Sequence, residues 1–397
     1  MYHSLAERAA HGGSATPDLL WPPLYSWLLS PGARLGGNWP IVVALAQVAL
    51  LALTAVGFGM VLARITGSTR AGVAGEALML VDPHLGAYAH YLWPEVLYIA
   101  ELMLLLWLVV AKPGRQAWWV GAGITIAVAV VTKNVLGPYL LVGLAPLALD
   151  VGPRRALTYG AGIALVALTL LAPVLWHNGR THGAFVVSDS SRFASLVGLT
   201  STGRRSAVDD GAGPAFLAYQ ASALRFDARQ RILTQQINAH VSERGVMPLV
   251  RAQWSRQYFR LLDARTVLTE QLSGGPYQAR GVGYARPGAW LSAWLRAWNG
   301  AVYAFVLGAA GIGICATPLR GRPWLAYLFG VLAYGLLLFF VVEARSRYRL
   351  PLMLPLWTGA ALTVSGSVPL NPRWRVVAGG LVSAVLLAFA FGADALP

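Results

Sequence analysis

The sequence predicts an all-α fold, a polytopic transmembrane helical bundle of about ten spans with amphipathic helices in an outer loop. Three observations carry that expectation. Apolar residues make up 56% of the 397-residue chain and charged residues only 12%, where soluble domains carry about 25% charged residues. Nearly uncharged runs of membrane-spanning length recur along the chain. Basic residues collect in the gaps between those runs. The formal net charge is +15, and this distribution points to anionic lipid or phosphate as partner, not nucleic acid. Cys315 is the single cysteine and lies inside an apolar run, so no disulfide and no cysteine-based metal site is expected.

The chain divides into four stretches. Residues 1–39 read as an outer N-terminal loop with a short helix from Tyr2 to Ala10, rich in turn formers and without the basic and apolar regions of a signal peptide. Residues 40–176 hold about six spans: Ile41–Ala63, Ala71–Tyr91, Glu95–Ala111, Trp118–Thr132, Asn134–Leu149 and Ala156–Trp176. Residues 177–297 form a long outer-face segment. Residues 298–397 hold about four more: Trp298–Thr317, Trp324–Val342, Leu350–Val364 and Val376–Phe391. Within the second span, Asp82-Pro83 reads as a break, with aspartate as N-cap and proline at the first position of a restarted helix.

Loop charge sets the orientation. Arg64 and Arg70, Lys112 and Arg115, Arg154 and Arg155, Arg320 and Arg322, and Arg373 and Arg375 occupy loops separated by even numbers of spans. They share the cytoplasmic face. The Lys133-Asn134 turn, the segment 177–297 and the loop Arg345-Ser346-Arg347-Tyr348-Arg349 then lie outside. That loop breaks the rule the other five obey, and arginine's planar fork suits phosphate. In the outer segment, Leu233, Ile237 and Val241 repeat every four residues, as do Val250, Trp254, Tyr258 and Leu262. These are two amphipathic helices for the membrane surface.

Several residues could carry chemistry on the outer face. Asp18, ahead of Pro22-Pro23-Leu24-Tyr25, could act as a general base toward an alcohol or hold a divalent cation, or be a solvated loop aspartate. Glu95 begins the third span, where a helix N-terminus suits a carboxylate; it could equally line an outward cavity. Lys133 could meet a phosphate as a point charge or snorkel to the interface. Asn134, Tyr91, Tyr25 and His177-Asn178 belong to the same layer. Glu76 and Glu101, within or near apolar runs, read as internally paired. No glycine-rich phosphate loop offers a site for a soluble nucleotide.

Taken in order, Pro22-Pro23-Leu24-Tyr25, Pro83, Tyr88, Trp93-Pro94-Glu95-Val96-Leu97-Tyr98, Thr132-Lys133, Pro173, His177-Asn178 and Arg347-Tyr348-Arg349-Leu350-Pro351 form a set that covers most of the chain. The set resembles the superfamily C integral-membrane glycosyltransferases, in the bacterial branch related to protein mannosyltransferases and lipid A aminoarabinose transferases. The resemblance implies a multi-pass protein of the inner membrane. It would move a sugar from a polyprenyl-phosphate donor to a lipid, glycan or protein acceptor on the periplasmic face, with inversion. It implies donor-phosphate contacts from Lys133, Arg345, Arg347, Tyr348 and Arg349, and a carboxylate acting on the acceptor. In this chain three residues separate Asp18 from Pro22 where the pattern has one. Members of the family usually begin with a further span followed by an acid, so an acid upstream of Met1 is expected. The competing classes are a polysaccharide polymerase or ligase, and a lipid-linked glycan flippase or transporter. Transporters show paired halves with matched broken helices, which six plus four spans do not.

Overall fold

The computed structural model describes residues 2–15, 19–110, 116–134, 147–149, 151–200, 225–257, 261–264, 268–269, 272, 287–318, 322–341, 346–367 and 373–392. Among these residues the fold is helical and without strands. In the first half, α1 is Tyr2–Ala10, α2 Leu24–Leu35, α3 Trp39–Thr66, α4 Thr69–Leu80, α5 Pro83–His90, α6 Glu95–Val110, α7 Gln116–Thr132 and α8 Pro153–His182. The outer segment supplies α9, Ser191–Thr200, α10, Phe226–Arg244, and α11, Val246–Ala252, which runs on as a π-turn over Gln253–Gln257. The second half holds α12, Ala289–Ala316, α13, Pro323–Val341, a 3-10 turn at Ser346–Arg349, α14, Leu350–Val364, and α15, Arg373–Gly392.

Helices α3, α8, α12 and α15 are each long and apolar enough to cross a bilayer. Their outward residues are apolar too: Val42, Leu45, Leu53 and Met60 of α3 are all exposed. Exposure of such side chains suits hydrocarbon and not water. Shorter apolar helices, α7, α13 and α14, lie among them. The expected span at Asn134–Leu149 falls almost wholly outside the described residues.

Helix α14 is the core of the bundle. Every residue from Leu350 to Leu362 is buried, and the helix packs against α12, α13, α4 and α6. An apolar surface on all sides leaves a helix no solvent-facing stripe, so it must be enclosed. The approach to α12 is close enough that a Cβ on Gly359 would collide with the Ala310 carbonyl, the small-residue contact that membrane helices use in place of a hydrophobic drive. Helices α3 and α4 meet in the same manner at Gly59 and Gly72.

The expected break in the second span is present. Asp82 caps α5, its carboxyl accepting from the backbone N–H of His84 at 2.9 Å and of Leu85 at 3.2 Å, with Pro83 at the first helical position. Two boundaries and one helix differ from the sequence reading. Helix α8 runs six residues past Trp176 to His182, because His177-Asn178 does not interrupt it. Helix α12 starts at Ala289, ahead of Trp298, so it projects beyond its apolar run. Helix α2 was not expected: Pro22-Pro23 reads as a turn, yet Pro23 stands immediately before the first turn, where its fixed φ suits helix entry.

Above the bundle these pieces form a layer. Helix α1 packs on α2, with Tyr2 edge-on to Tyr25 at 5.2 Å and His3 stacked on Trp39 at 5.1 Å. Leu20 is buried with Leu196 of α9 and Leu233 of α10. The N-terminal loop is thereby joined to the outer segment, and Asp189 N–H donates to the Leu19 carbonyl at 2.8 Å.

Candidate active site

Glu95 opens α6 directly after Pro94, and Lys133 follows the end of α7; the two helices are packed neighbours. The Lys133 ammonium stands 3.6 Å from Glu95 Oε1. It also lies over the ring of Tyr98, one turn along α6, at 4.9 Å, and over the ring of Tyr348 at 5.4 Å. Tyr348 is held in turn by stacking on Phe339 at 5.2 Å. The fold therefore brings the Thr132-Lys133 motif and the Arg347–Pro351 motif, from opposite halves of the sequence, to one point. A carboxylate and two aromatic faces are the partners a lysine ammonium is attracted to. The Lys133 side chain is 19% exposed, enough for an anion to reach it.

The surrounding groups are ordered by hydrogen bonds. Tyr25 donates to Gln47 Oε1 at 2.9 Å, and Gln47 Nε2 donates to the carbonyls of Tyr91 at 2.8 Å and Ala89 at 3.2 Å. Burial, then the Glu95 carboxylate, then Tyr2, hold the Tyr25 hydroxyl above its ordinary range, so it stays a donor. The second oxygen of Glu95 has no hydrogen-bond partner among the described residues, although Glu95 is only 4% exposed. Below it, Thr132 donates to Glu101 Oε1 at 2.6 Å, the internal pairing expected of that carboxyl.

Arg349 is one residue from Tyr348 and has a different setting. It is 1% exposed. It donates to the Asp263 carbonyl, lies over the Tyr303 ring at 4.0 Å, and is within electrostatic reach of Asp82. Asp82 in turn lies against the Trp357 indole. Tyr303 donates to the Leu262 carbonyl at 2.9 Å, Asn299 to the Ala264 carbonyl at 2.9 Å, and Ala264 N–H to the Ala390 carbonyl at 2.9 Å. Three consecutive residues of the outer segment are thus pinned into the bundle by α12, α15 and Arg349. The partners of Arg349 carried no signal in the sequence, because Asp82 and Asp263 are remote from it along the chain.

The other expected site residues fall as follows. Asn134 donates to the Ser188 carbonyl at 2.7 Å and Asn178 to the Val186 carbonyl at 2.7 Å, so both fix the descent from α8 to α9. His177 is exposed on α8, and Tyr91 is half-buried against Trp93 at 5.4 Å. Arg347 lies in the 3-10 turn beside Tyr348. Asp18 and Arg345 lie outside the described residues. Among the described residues no three histidine, cysteine, aspartate or glutamate side chains stand together as a metal site would require.

Comparison with known proteins bears on this geometry. Residues 21–177 match the family described as dolichyl-phosphate-mannose-protein mannosyltransferase, in agreement with the resemblance read from the motifs. That stretch contains Tyr25, Gln47, Tyr91, Glu95, Tyr98 and Lys133. No curated protein matches the chain. Among solved structures, the oligosaccharyltransferase AglB from Archaeoglobus fulgidus, in complex with an inhibitory peptide and a dolichol-phosphate, aligns with a TM-score of 0.48 and 15% identity. The alignment covers 99% of this chain and 51% of that one, so the chain spans about half the length of the archaeal protein. ArnT from Cupriavidus metallidurans, bound to undecaprenyl phosphate, aligns with a TM-score of 0.38 and 17% identity over 96% of this chain and 72% of that one.

Proposed function

With residues 21–177 matching the mannosyltransferase family, we propose that this chain is a membrane glycosyltransferase using a polyprenyl-phosphate-linked sugar as donor. The acceptor hydroxyl attacks the anomeric carbon from the side opposite the phosphate, with inversion. The bond from that carbon to the phosphate oxygen breaks as the new glycosidic bond forms, and the polyprenyl phosphate leaves as an anion. The hydroxyl proton passes to a carboxylate of the outer layer, for which Asp18 is the candidate in this sequence. Lys133 meets the charge that grows on the departing phosphate, with Tyr348 beside it and Arg347 and Arg345 on the adjoining loop. The orientation from loop charges puts this reaction on the periplasmic face of the inner membrane.

The observation that carries the reading is the convergence of Lys133, Glu95, Tyr98 and Tyr348 from three separate motifs. Arg349 is spoken for by Asp263, Tyr303 and Asp82, so the phosphate role falls chiefly to Lys133. The test is transfer of radiolabelled sugar from a polyprenyl-phosphate donor in membranes containing the full chain. Lys133→Ala is expected to reduce transfer by about 10²-fold or more while the protein still inserts. Unchanged transfer in that variant would remove the phosphate role, and movement of label across the membrane without transfer would favour a flippase instead.

A further inference from the structure

An open cavity lies away from Lys133, between α9 and α10. Its volume is about 560 Å³, and its walls include Arg192, Phe226, Asp227, Gln230, Arg231 and Gln235. That size suits a ligand of one or two sugar rings. Two exposed arginines face it from different helices: Arg192 Nη1 donates to Gln230 Oε1 at 3.2 Å, and Arg231 Nη2 to Asp227 Oδ2 at 2.8 Å. Gln230 is 2% exposed, and its Nε2 donates to the Asp189 carbonyl at 3.4 Å. Asp189 follows Ser188, whose carbonyl accepts from Asn134, the neighbour of Lys133. A run of hydrogen bonds therefore joins the floor of this cavity to the turn that carries Lys133.

Resting on the transferase reading, we propose that this cavity is an acceptor subsite for a saccharide bearing an oxyanion, either phosphate or carboxylate. The guanidinium forks of Arg192 and Arg231 retain free N–H edges suited to a planar or tetrahedral oxyanion. Gln235 and Asp227 supply the amide and carboxylate edges that hydroxyl groups need. A solvated helix face would explain polar residues at 227, 231 and 235 of α10. It would explain neither the opposing Arg192 nor the buried amide that fastens the cavity floor to the Lys133 turn.

The experiment uses the full chain in zwitterionic nanodiscs, titrated with a disaccharide phosphate, its glucuronyl counterpart and the neutral disaccharide. At least one anionic disaccharide is expected to bind about tenfold or more tightly than the neutral one. Arg192→Gln with Arg231→Gln should erase that difference while leaving undecaprenyl-phosphate binding in the same samples unchanged. Equal binding of all three sugars, or full discrimination in the double variant, overturns the subsite. So does a preference shown for anionic-lipid nanodiscs and not for the soluble sugars, since the arginines would then read headgroups. If sugar binding behaves as expected and undecaprenyl phosphate binds no sample, the donor reading fails and the saccharide site stands.

Discussion

Lys133 and Arg349 are two partly or wholly buried cations that flank the same residue, Tyr348, one in space and one in sequence. Their settings are opposite. Lys133 is held by one carboxylate oxygen and two ring faces and keeps 19% of its side chain exposed. Arg349 is enclosed, with a backbone carbonyl, a ring and an aspartate around it. The loop motif that reads as one phosphate-binding unit is therefore split by the fold. Its tyrosine faces Lys133, and its last arginine serves the packing of the outer segment on the bundle. Proximity in sequence does not make a shared role when the two side chains leave the chain toward different neighbours.

Substitutions can break or sharpen this contrast, and they fall in a clear order. Arg349→Met should have the largest effect on folding. It leaves the buried Asp263 carbonyl without its donor and releases residues 262–264, and an unsatisfied buried acceptor costs about 1–3 kcal/mol. Thermal unfolding in detergent should show a large fall, with accelerated proteolysis in the outer segment. Lys133→Met should do the reverse, abolishing transfer with an unfolding temperature close to that of the parent chain. Equal losses of stability in the two variants would erase the distinction.

Asp82→Asn comes next. Asparagine still caps α5, so helix α5 is kept, while the charge facing Arg349 is lost; the expected loss of stability lies below that of Arg349→Met. Asp82→Ala removes the cap as well, worth about 1 kcal/mol more, and comparison of the two variants separates cap from charge. The smallest effect belongs to Tyr348→Leu. It removes one of two aromatic faces from Lys133, worth about 0.5–1 kcal/mol, and should appear as a modest rise in the donor KM with little change in unfolding temperature.

Much of this architecture is legible in the sequence because membrane spans announce themselves locally. The apolar runs predict α3, α6, α7, α8 and α12 to α15, with the end of α8 and the start of α12 misplaced, and the Asp82-Pro83 pair predicts the break between α4 and α5. Cap, proline and hydropathy are all short-range signals. Helix α2 was hidden because a proline pair has the same appearance before a helix as inside a turn. The pairing of Glu95 with Lys133 was half legible: both stood out as outer-face charges, but nothing local says that they touch. The anchoring of Arg349 was not legible, since it depends on Asp263 reaching into the bundle, a contact 86 residues away.

The insertion of residues 261–264 among α12, α14 and α15 also has a consequence for biogenesis. Residues 261–264 are synthesised before the helices of the second half that hold them, and their last tie, from Ala264 to Ala390, waits for the final described helix to enter the bilayer. Residues 262–264 gain their first ties with α12 and Arg349, and the set is complete only with α15. A nascent chain is therefore exposed to proteases at this segment, and becomes resistant only when both halves have met.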